Sequence, residues 1–155
     1  KRQLMGVFTP DLTDFLAHVL GALGSKSAIV VCGYGGVDEL TTTGPNRLSH
    51  YQNGTVNTIE LDPTVYDLKP AHISDLVGGD APENAAILRG ILDGSVNSSK
   101  QDVVILNAAA AMIAGGLTND IPEGMEIARQ TIDSGAAIAK LDQLIHYSQE
   151  IARVH

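Results

Sequence analysis

Ala28-Ile-Val-Val-Cys-Gly-Tyr-Gly-Gly-Val-Asp-Glu-Leu-Thr-Thr-Thr-Gly-Pro45 holds a strand, a turn and an acidic cluster in one run. Ala28 to Val31 are small or β-branched and apolar, the composition of a buried strand. Gly33, Gly35 and Gly36 end that strand and turn the chain. Two adjacent carboxylates, Asp38 and Glu39, leave the turn, followed by the hydroxyls of Thr41, Thr42 and Thr43 and the breaker pair Gly44-Pro45. Carboxylates and hydroxyls grouped beyond a strand end suggest oxygen ligands for a hard cation such as Mg²⁺. That ion uses one or two protein carboxylates and completes its shell from water and substrate phosphates. The same residues also read as a solvated loop, since acidic pairs are common on surfaces. In an extended segment successive side chains point to opposite sides, and Asp38 and Glu39 would then serve two ions more readily than chelate one.

Upstream of the strand, Thr9-Pro10-Asp11 has the form of a helix start, with Thr9 as N-cap and Pro10 at the first helical position. Leu12, Phe15, Leu16, Val19, Leu20 and Leu23 recur at three- and four-residue steps and predict one apolar helix face, closed by Gly24. His18 lies off that stripe and reads as a surface residue. Helix followed by strand suits an α/β layer. Downstream, Leu48 to Gln52 and Val56 to Leu61 read as strands joined by a tight Asn53-Gly54 turn. His50 and Tyr51 have no second His or Cys at zinc spacing, so a solvated hairpin face is expected there. Asp62-Pro63 opens a loop that runs to Pro70, and a short helix is expected around Ile73 to Leu76.

The second half of the sequence reads as helical. Asp80 and Glu83 have capping-box spacing, with Asp in place of Ser or Thr. Ala85, Ile87, Leu88, Ile91 and Leu92 predict the buried face of the helix that follows. Gly78-Gly79 before this helix could bind an anion through bare amides, but Asp80 already places negative charge there, and no phosphate-loop lysine follows. Asp102 to Ala114 is apolar and small on nearly all sides, as in a central packed helix. Asn107 within it needs buried partners and is expected to bond a neighbouring loop. Asp120 and Glu123 repeat the helix-start spacing. Met125, Ile127, Ala128 and Ile132, then Ile138, Leu141, Leu144 and Ile145, predict two more amphipathic helices broken at Ser134-Gly135. Ile151 to His155 are expected to fray.

The chain has 155 residues, enough for one domain with a sizeable core. Its 44% hydrophobic and 18% charged residues are globular values. A net charge of −8 argues against nucleic-acid binding. It also presents a repulsive field to a phosphate-rich substrate, unless a metal or local basic residues screen it. Cys32 is the single cysteine, so no intrachain disulfide forms, which fits a reducing, cytoplasmic compartment. It reads as a small packed residue rather than a nucleophile. The sequence carries no signal-peptide pattern and no apolar run of bilayer-spanning length. Ser25, Ser27 and Ser49 read as turn or surface serines, and no Ser/His/Asp set is evident, so no catalytic nucleophile or base is assigned.

Val37-Asp-Glu-Leu-Thr-Thr-Thr-Gly-Pro45 resembles the acidic motif of the anthranilate phosphoribosyltransferase family. Arg2-Gln-Leu-Met-Gly-Val7, Gly78-Gly-Asp-Ala-Pro-Glu-Asn-Ala-Ala-Ile87, Leu106-Asn-Ala-Ala-Ala-Ala111 and Ile132-Asp-Ser-Gly-Ala136 are similar to further family blocks. The resemblance implies an α/β fold, part of a central mixed, mainly parallel β-sheet flanked by helices. It implies that Asp38 and Glu39 hold the Mg²⁺ that rides on phosphoribosyl pyrophosphate. It further implies the family reaction, in which the amino group of anthranilate attacks C1 of the ribose and pyrophosphate leaves. The family's helical domain, its Gly-Thr-Gly-Gly-Asp pyrophosphate loop and its acceptor pocket lie upstream of the matching region. The chain therefore reads as the C-terminal part of the large domain, expected to be inactive and monomeric alone, from a cytoplasmic homodimeric parent. Cys32 stands where the family usually has histidine. The competing expectation is a non-catalytic paralogue or partner-binding domain of the same fold.

Overall fold

The computed structural model describes residues 1–154. Its centre is the apolar strand, β2 (Ser27–Cys32), buried along its whole length. Ile29 and Val31 join one core with Leu48, Leu61, Leu106 and Ala110. Val30 and Cys32 join the other with Val7 and Ala17. A strand covered on both faces reads as a continuous apolar run rather than an alternation, which is why Ala28 to Val31 is so legible.

β1 (Arg2–Gly6) pairs parallel with β2, and α1 (Asp11–Ala22) connects them. β3 (Asn46–Gln52) pairs antiparallel with β2, and β4 (Thr55–Leu61) antiparallel with β3, giving the order β1-β2-β3-β4. The sheet is mixed and flanked by helices, as expected. Within these residues one pairing is parallel and two are antiparallel. The parallel element β1 is too short and irregular to announce itself from periodicity. The hairpin turns at Asn53 and Gly54, both at positive φ (52° and 85°), as a two-residue turn of this hand requires.

α1 covers one face of the sheet with part of the expected stripe, Leu12, Leu16 and Leu20 packing partly buried against the core. Thr13 and Ala17 are buried, whereas Phe15 is 61% and Leu23 is 72% exposed. The helix sits close to the sheet because its contact face is small. A Cβ on Gly21 would lie 2.2 Å from the Tyr51 ring. Buried hydroxyls do part of the joining: Ser49 Oγ donates to Thr13 Oγ1 at 3.0 Å, and Arg47 Nε donates to the same oxygen at 3.2 Å. Ser27 and Ser49 are thus buried strand residues, not turn or surface serines. His50 is half-buried rather than on a solvated face, and its Nε2 lies 2.9 Å from Ser27 Oγ. Tyr51 packs partly buried against the α1-side core.

The other face is covered by α4 (Ser99–Gly115), which starts three residues earlier than expected and carries buried Ile105, Leu106, Ala109, Ala110 and Ala114. α5 (Ile121–Asp133) packs onto it at Gly124, where a Cβ would meet Ala109 Cα and Cβ at 2.8 Å. α2 (Ile73–Leu76) falls where expected, and the loop from Asp62 contains one 3-10 turn, Pro63–Tyr66. α3 (Ala81–Leu92) begins with the expected capping box. Asp80 Oδ1 accepts from Glu83 N–H at 3.0 Å, and Glu83 Oε2 accepts from Asp80 N–H at 3.1 Å. Its buried face shrinks to Gly90 and Ile91, with Leu88 42% exposed. α6 (Ala136–Val154) follows the break at Gly135, whose φ is 76°, and leaves Leu144 exposed. Ile151 to Val154 remain helical, and His155 lies outside the described residues.

Candidate metal and substrate site

The acidic pair lies across the carboxyl ends of the parallel strands. A Cβ added to Gly6, the last residue of β1, would fall 1.5 Å from the Asp38 carbonyl oxygen. A Cβ added to Gly33, just past β2, would fall 2.2 Å from the Glu39 carbonyl oxygen. Glycine at both positions is therefore a steric requirement for seating this loop. Gly33 N–H donates to Val37 O at 2.7 Å, and Gly36, at φ 84°, turns the chain between them. Open α/β sheets place ligands at the carboxyl ends of their strands.

The chain bends at Asp38 and Glu39 instead of running extended, so the condition for diverging side chains is not met. Both residues are exposed. Burial of its carboxyl raises the pKa of Glu39. The Asp38 charge and a side-chain hydrogen bond to Asp38 push it further the same way. Like charges on these adjacent carboxylates repel, a repulsion that a shared cation would relieve.

The threonine hydroxyls do not join them. Thr41 and Thr42 are buried, at 1% and 2% exposure. Thr41 Oγ1 lies 3.1 Å from Thr43 Oγ1 and accepts from Thr43 N–H at 3.2 Å. The run that reads as three further ligands is mostly an anchor. Among the described residues no group of three or more His, Cys, Asp and Glu is placed to hold a metal. The pair fits a cation that draws its remaining ligands from water and substrate phosphates.

The anchor continues on both sides of the loop. Leu40, fully buried, donates its N–H to Asn107 Oδ1 at 3.0 Å and accepts from Asn107 Nδ2 at 2.7 Å. The expectation that Asn107 bonds a neighbouring loop is met, and the loop is the acidic one. Thr41 is held in the same way by Asn46, through bonds of 2.7 Å and 3.0 Å. Gly6 and Asn46 carry roles that sequence reading missed. Each role depends on a contact with a residue distant in space or on a buried side-chain orientation, and no periodicity encodes either.

A cleft of about 370 Å³ adjoins Glu39, walled by Val37, Leu40, Ile73, Leu76, Val77 and Val103. A second cavity, of about 340 Å³, lies beside the glycine turn, with Tyr34, Arg47 and Glu60 on its wall. Cys32 also borders it, 3% exposed, its thiol pushed up by burial and within 3.7 Å of the Gly33 carbonyl. That is a packed thiol, as expected, since the thiolate is the reactive form. Among the described residues no helix is long and apolar enough to cross a membrane.

The family model described as "Glycosyl transferase family, a/b domain" matches residues 1–138. The anthranilate phosphoribosyltransferase of Moorella thermoacetica is 47% identical over 90 residues, which cover 58% of this chain and 26% of that protein. The enzyme of the same name from Acetivibrio thermocellus is 45% identical over 93 residues, 60% of this chain and 27% of that protein. The crystal structure of the Thermus thermophilus anthranilate phosphoribosyltransferase superposes with a TM-score of 0.82 at 35% identity, over 92% of this chain and 41% of that one. The Saccharomyces cerevisiae enzyme in complex with PRPP and Mg superposes at 0.81 with 23% identity, over 91% and 41%, and shares the fold. The chain thus spans only part of the length of the relatives it matches. It belongs to the glycosyl transferase family a/b domain, and within that family it is anthranilate phosphoribosyltransferase-like.

Proposed function

We propose that this chain is the metal-binding C-terminal part of an anthranilate phosphoribosyltransferase, which transfers phosphoribosyl from phosphoribosyl pyrophosphate to anthranilate in tryptophan biosynthesis. The observation that carries the reading is the seating of Asp38 and Glu39, side by side and exposed, over the carboxyl ends of β1 and β2. These two residues would hold Mg²⁺ through their carboxylates. Magnesium bound there supplies charge neutralisation on the departing pyrophosphate. The chain's own contribution is electrostatic and positional. Gly6 and Gly33 let the loop lie on the strand ends, and Leu40 and Thr41 are tied down behind it. Positioned charge is a dominant source of rate where a leaving group carries much of the developing charge. Among the described residues no nucleophile or general base is assigned.

The test is a magnesium titration of the full-length enzyme with Asp38→Asn and Glu39→Gln. Each substitution keeps shape and removes charge. Each should lower metal-dependent turnover by about tenfold or more, the equivalent of 1.4 kcal/mol of transition-state stabilisation. Thermal unfolding should hardly change, because both residues are exposed. Unchanged rates with unchanged magnesium dependence in both variants would leave only a solvated loop.

A further inference from the structure

Leu40 and Thr41, the two residues after the acidic pair, share a backbone arrangement that recurs among the described side-chain hydrogen bonds at exposed Gly79, with Asn84 five residues on. Each has both its N–H and its C=O bonded to one carboxamide, Leu40 to Asn107 and Thr41 to Asn46. Two asparagine side chains thus stand in for the neighbouring strand that this segment lacks. The two anchors differ in where they lead. Asn46 also donates to Gly44 O and Leu61 O, each at 3.2 Å, which ties Thr41 to the hairpin. Asn107 donates in addition to Val103 O at 2.8 Å, so its amide is fixed on the central helix α4. One orientation alone of the Asn107 amide satisfies an N–H and two carbonyls.

We infer that Asn107 is a positioning residue of the acidic site, acting through Leu40 to fix where the Glu39 carboxylate points. The inference rests on the proposed metal role of Asp38 and Glu39. The physical case begins with the pair itself. Two carboxylates that repel each other move apart unless the backbone between and beyond them is fixed. From beneath, Gly6 and Gly33 leave the space that the Asp38 and Glu39 carbonyls occupy. The first residue past Glu39 is clamped at both polar groups, and the clamp is carried by α4 rather than by the loop itself. Sites keep productive geometry when the groups behind their ligands are locked by packing and hydrogen bonds. Mutating residues that orient metal ligands typically costs about 10- to 100-fold in metal affinity or activity.

The experiment uses the full-length enzyme with Asn107→Ala and Asn107→Asp, each alone and combined with Glu39→Gln. The aspartate retains the acceptor for Leu40 N–H but loses both donors. Steady-state kinetics with phosphoribosyl pyrophosphate and anthranilate are followed across a magnesium titration. Each single variant should lose about 10- to 100-fold in activity and require more magnesium for half-maximal rate. In the Glu39→Gln background the same substitutions should add little, because the carboxylate they position is already gone; non-additivity of this kind marks residues that act as a unit. Losses that simply multiply, or an unshifted magnesium midpoint, would overturn the inference and leave Asn107 as a fold-stabilising residue. If Glu39→Gln itself leaves magnesium dependence unchanged, it is the metal reading that fails. Should the Asn107 variants not fold, hydrogen exchange on the unmodified protein decides. The Leu40 amide should be as protected as those of β2 with neither metal nor substrate present, and rapid exchange there would sink the idea.

Discussion

Gly6 carries a requirement that its own neighbourhood in sequence does not show. The volume where its side chain would begin is filled by the Asp38 carbonyl, 1.5 Å from the ideal Cβ position. Gly6→Ala must therefore displace the acidic loop or the end of β1. We expect a loss of about 1 to 3 kcal/mol, the usual range for overpacking a tight site, read by urea unfolding, together with weakened magnesium dependence in the full-length enzyme. His50 offers a pH test at the same scale. Burial lowers its pKa from the ordinary 6.5, so the folded chain holds the neutral ring, bonded to Ser27. The unfolded chain then binds the proton more readily. The stability from this group is complete above about pH 6.5 and is lost progressively as pH falls from there through the lowered value of the folded state. Urea unfolding between pH 7.5 and 5.5 should show the decline, and His50→Gln should flatten it. An equal slope in both proteins would refute the assignment.

At the scale of elements, helix ends and helix contacts follow local chemistry to different degrees. The Asp80–Glu83 box needs only residues three apart, and it forms as expected at the start of α3. Asp80→Ala should cost about 1 kcal/mol, measured as a shift in the unfolding midpoint, although α3 itself buries little. The α5 start repeats half of the device: Asp120 Oδ1 accepts from Glu123 N–H at 2.9 Å, while the Glu123 carboxylate reaches Asn119 N–H at 3.4 Å. The α4–α5 contact is of another kind. Gly124 lets the helices meet backbone to side chain, and a methyl there would meet Ala109 at 2.8 Å. Gly124→Ala is expected to destabilise by about 1 to 3 kcal/mol despite its better helix propensity, because the neighbour it strikes is helix backbone. A neutral or stabilising result would show that α5 can shift freely on α4.

The whole molecule is three layers, with α1 on one face of the sheet and α4 with α5 on the other. Several large apolar side chains remain outside those layers: Phe8, Phe15 and Leu23 around α1, and Leu144 and Tyr147 on α6. The sequence also contains no Gly-Thr-Gly-Gly-Asp segment. On the proposed reading, this chain purified alone should have no transferase activity. Turnover of anthranilate by a contaminant-free sample would contradict that. It should also be monomeric or associate without a defined stoichiometry. A tight, discrete dimer in light scattering would count against this expectation.

The sequence by itself determined whatever depends on neighbours within a turn or two: the buried run of β2, the Asn53-Gly54 hairpin, the capping box of α3, the glycine break at Gly135, and the position of Asp38 and Glu39 past a strand end. Tertiary structure decided the remainder, because those features depend on which surfaces meet. Phe15 and Leu88 match a helical apolar period yet stand exposed, because the faces that meet the rest of the fold run through Ala17 with Leu12, Leu16 and Leu20 on α1 and through Gly90 and Ile91 on α3. Thr41 and Thr42 look like ligands in a list of residues but are buried, the Thr41 backbone being held by Asn46. β1 was hidden because a short strand gains its stability from the strand it pairs with, and periodicity carries no record of that partner. The acidic site is the sharpest case. Its two carboxylates are plain in the sequence, whereas the glycines beneath them and the asparagine behind them come from β1, the β2 end and α4, and only the fold brings these together.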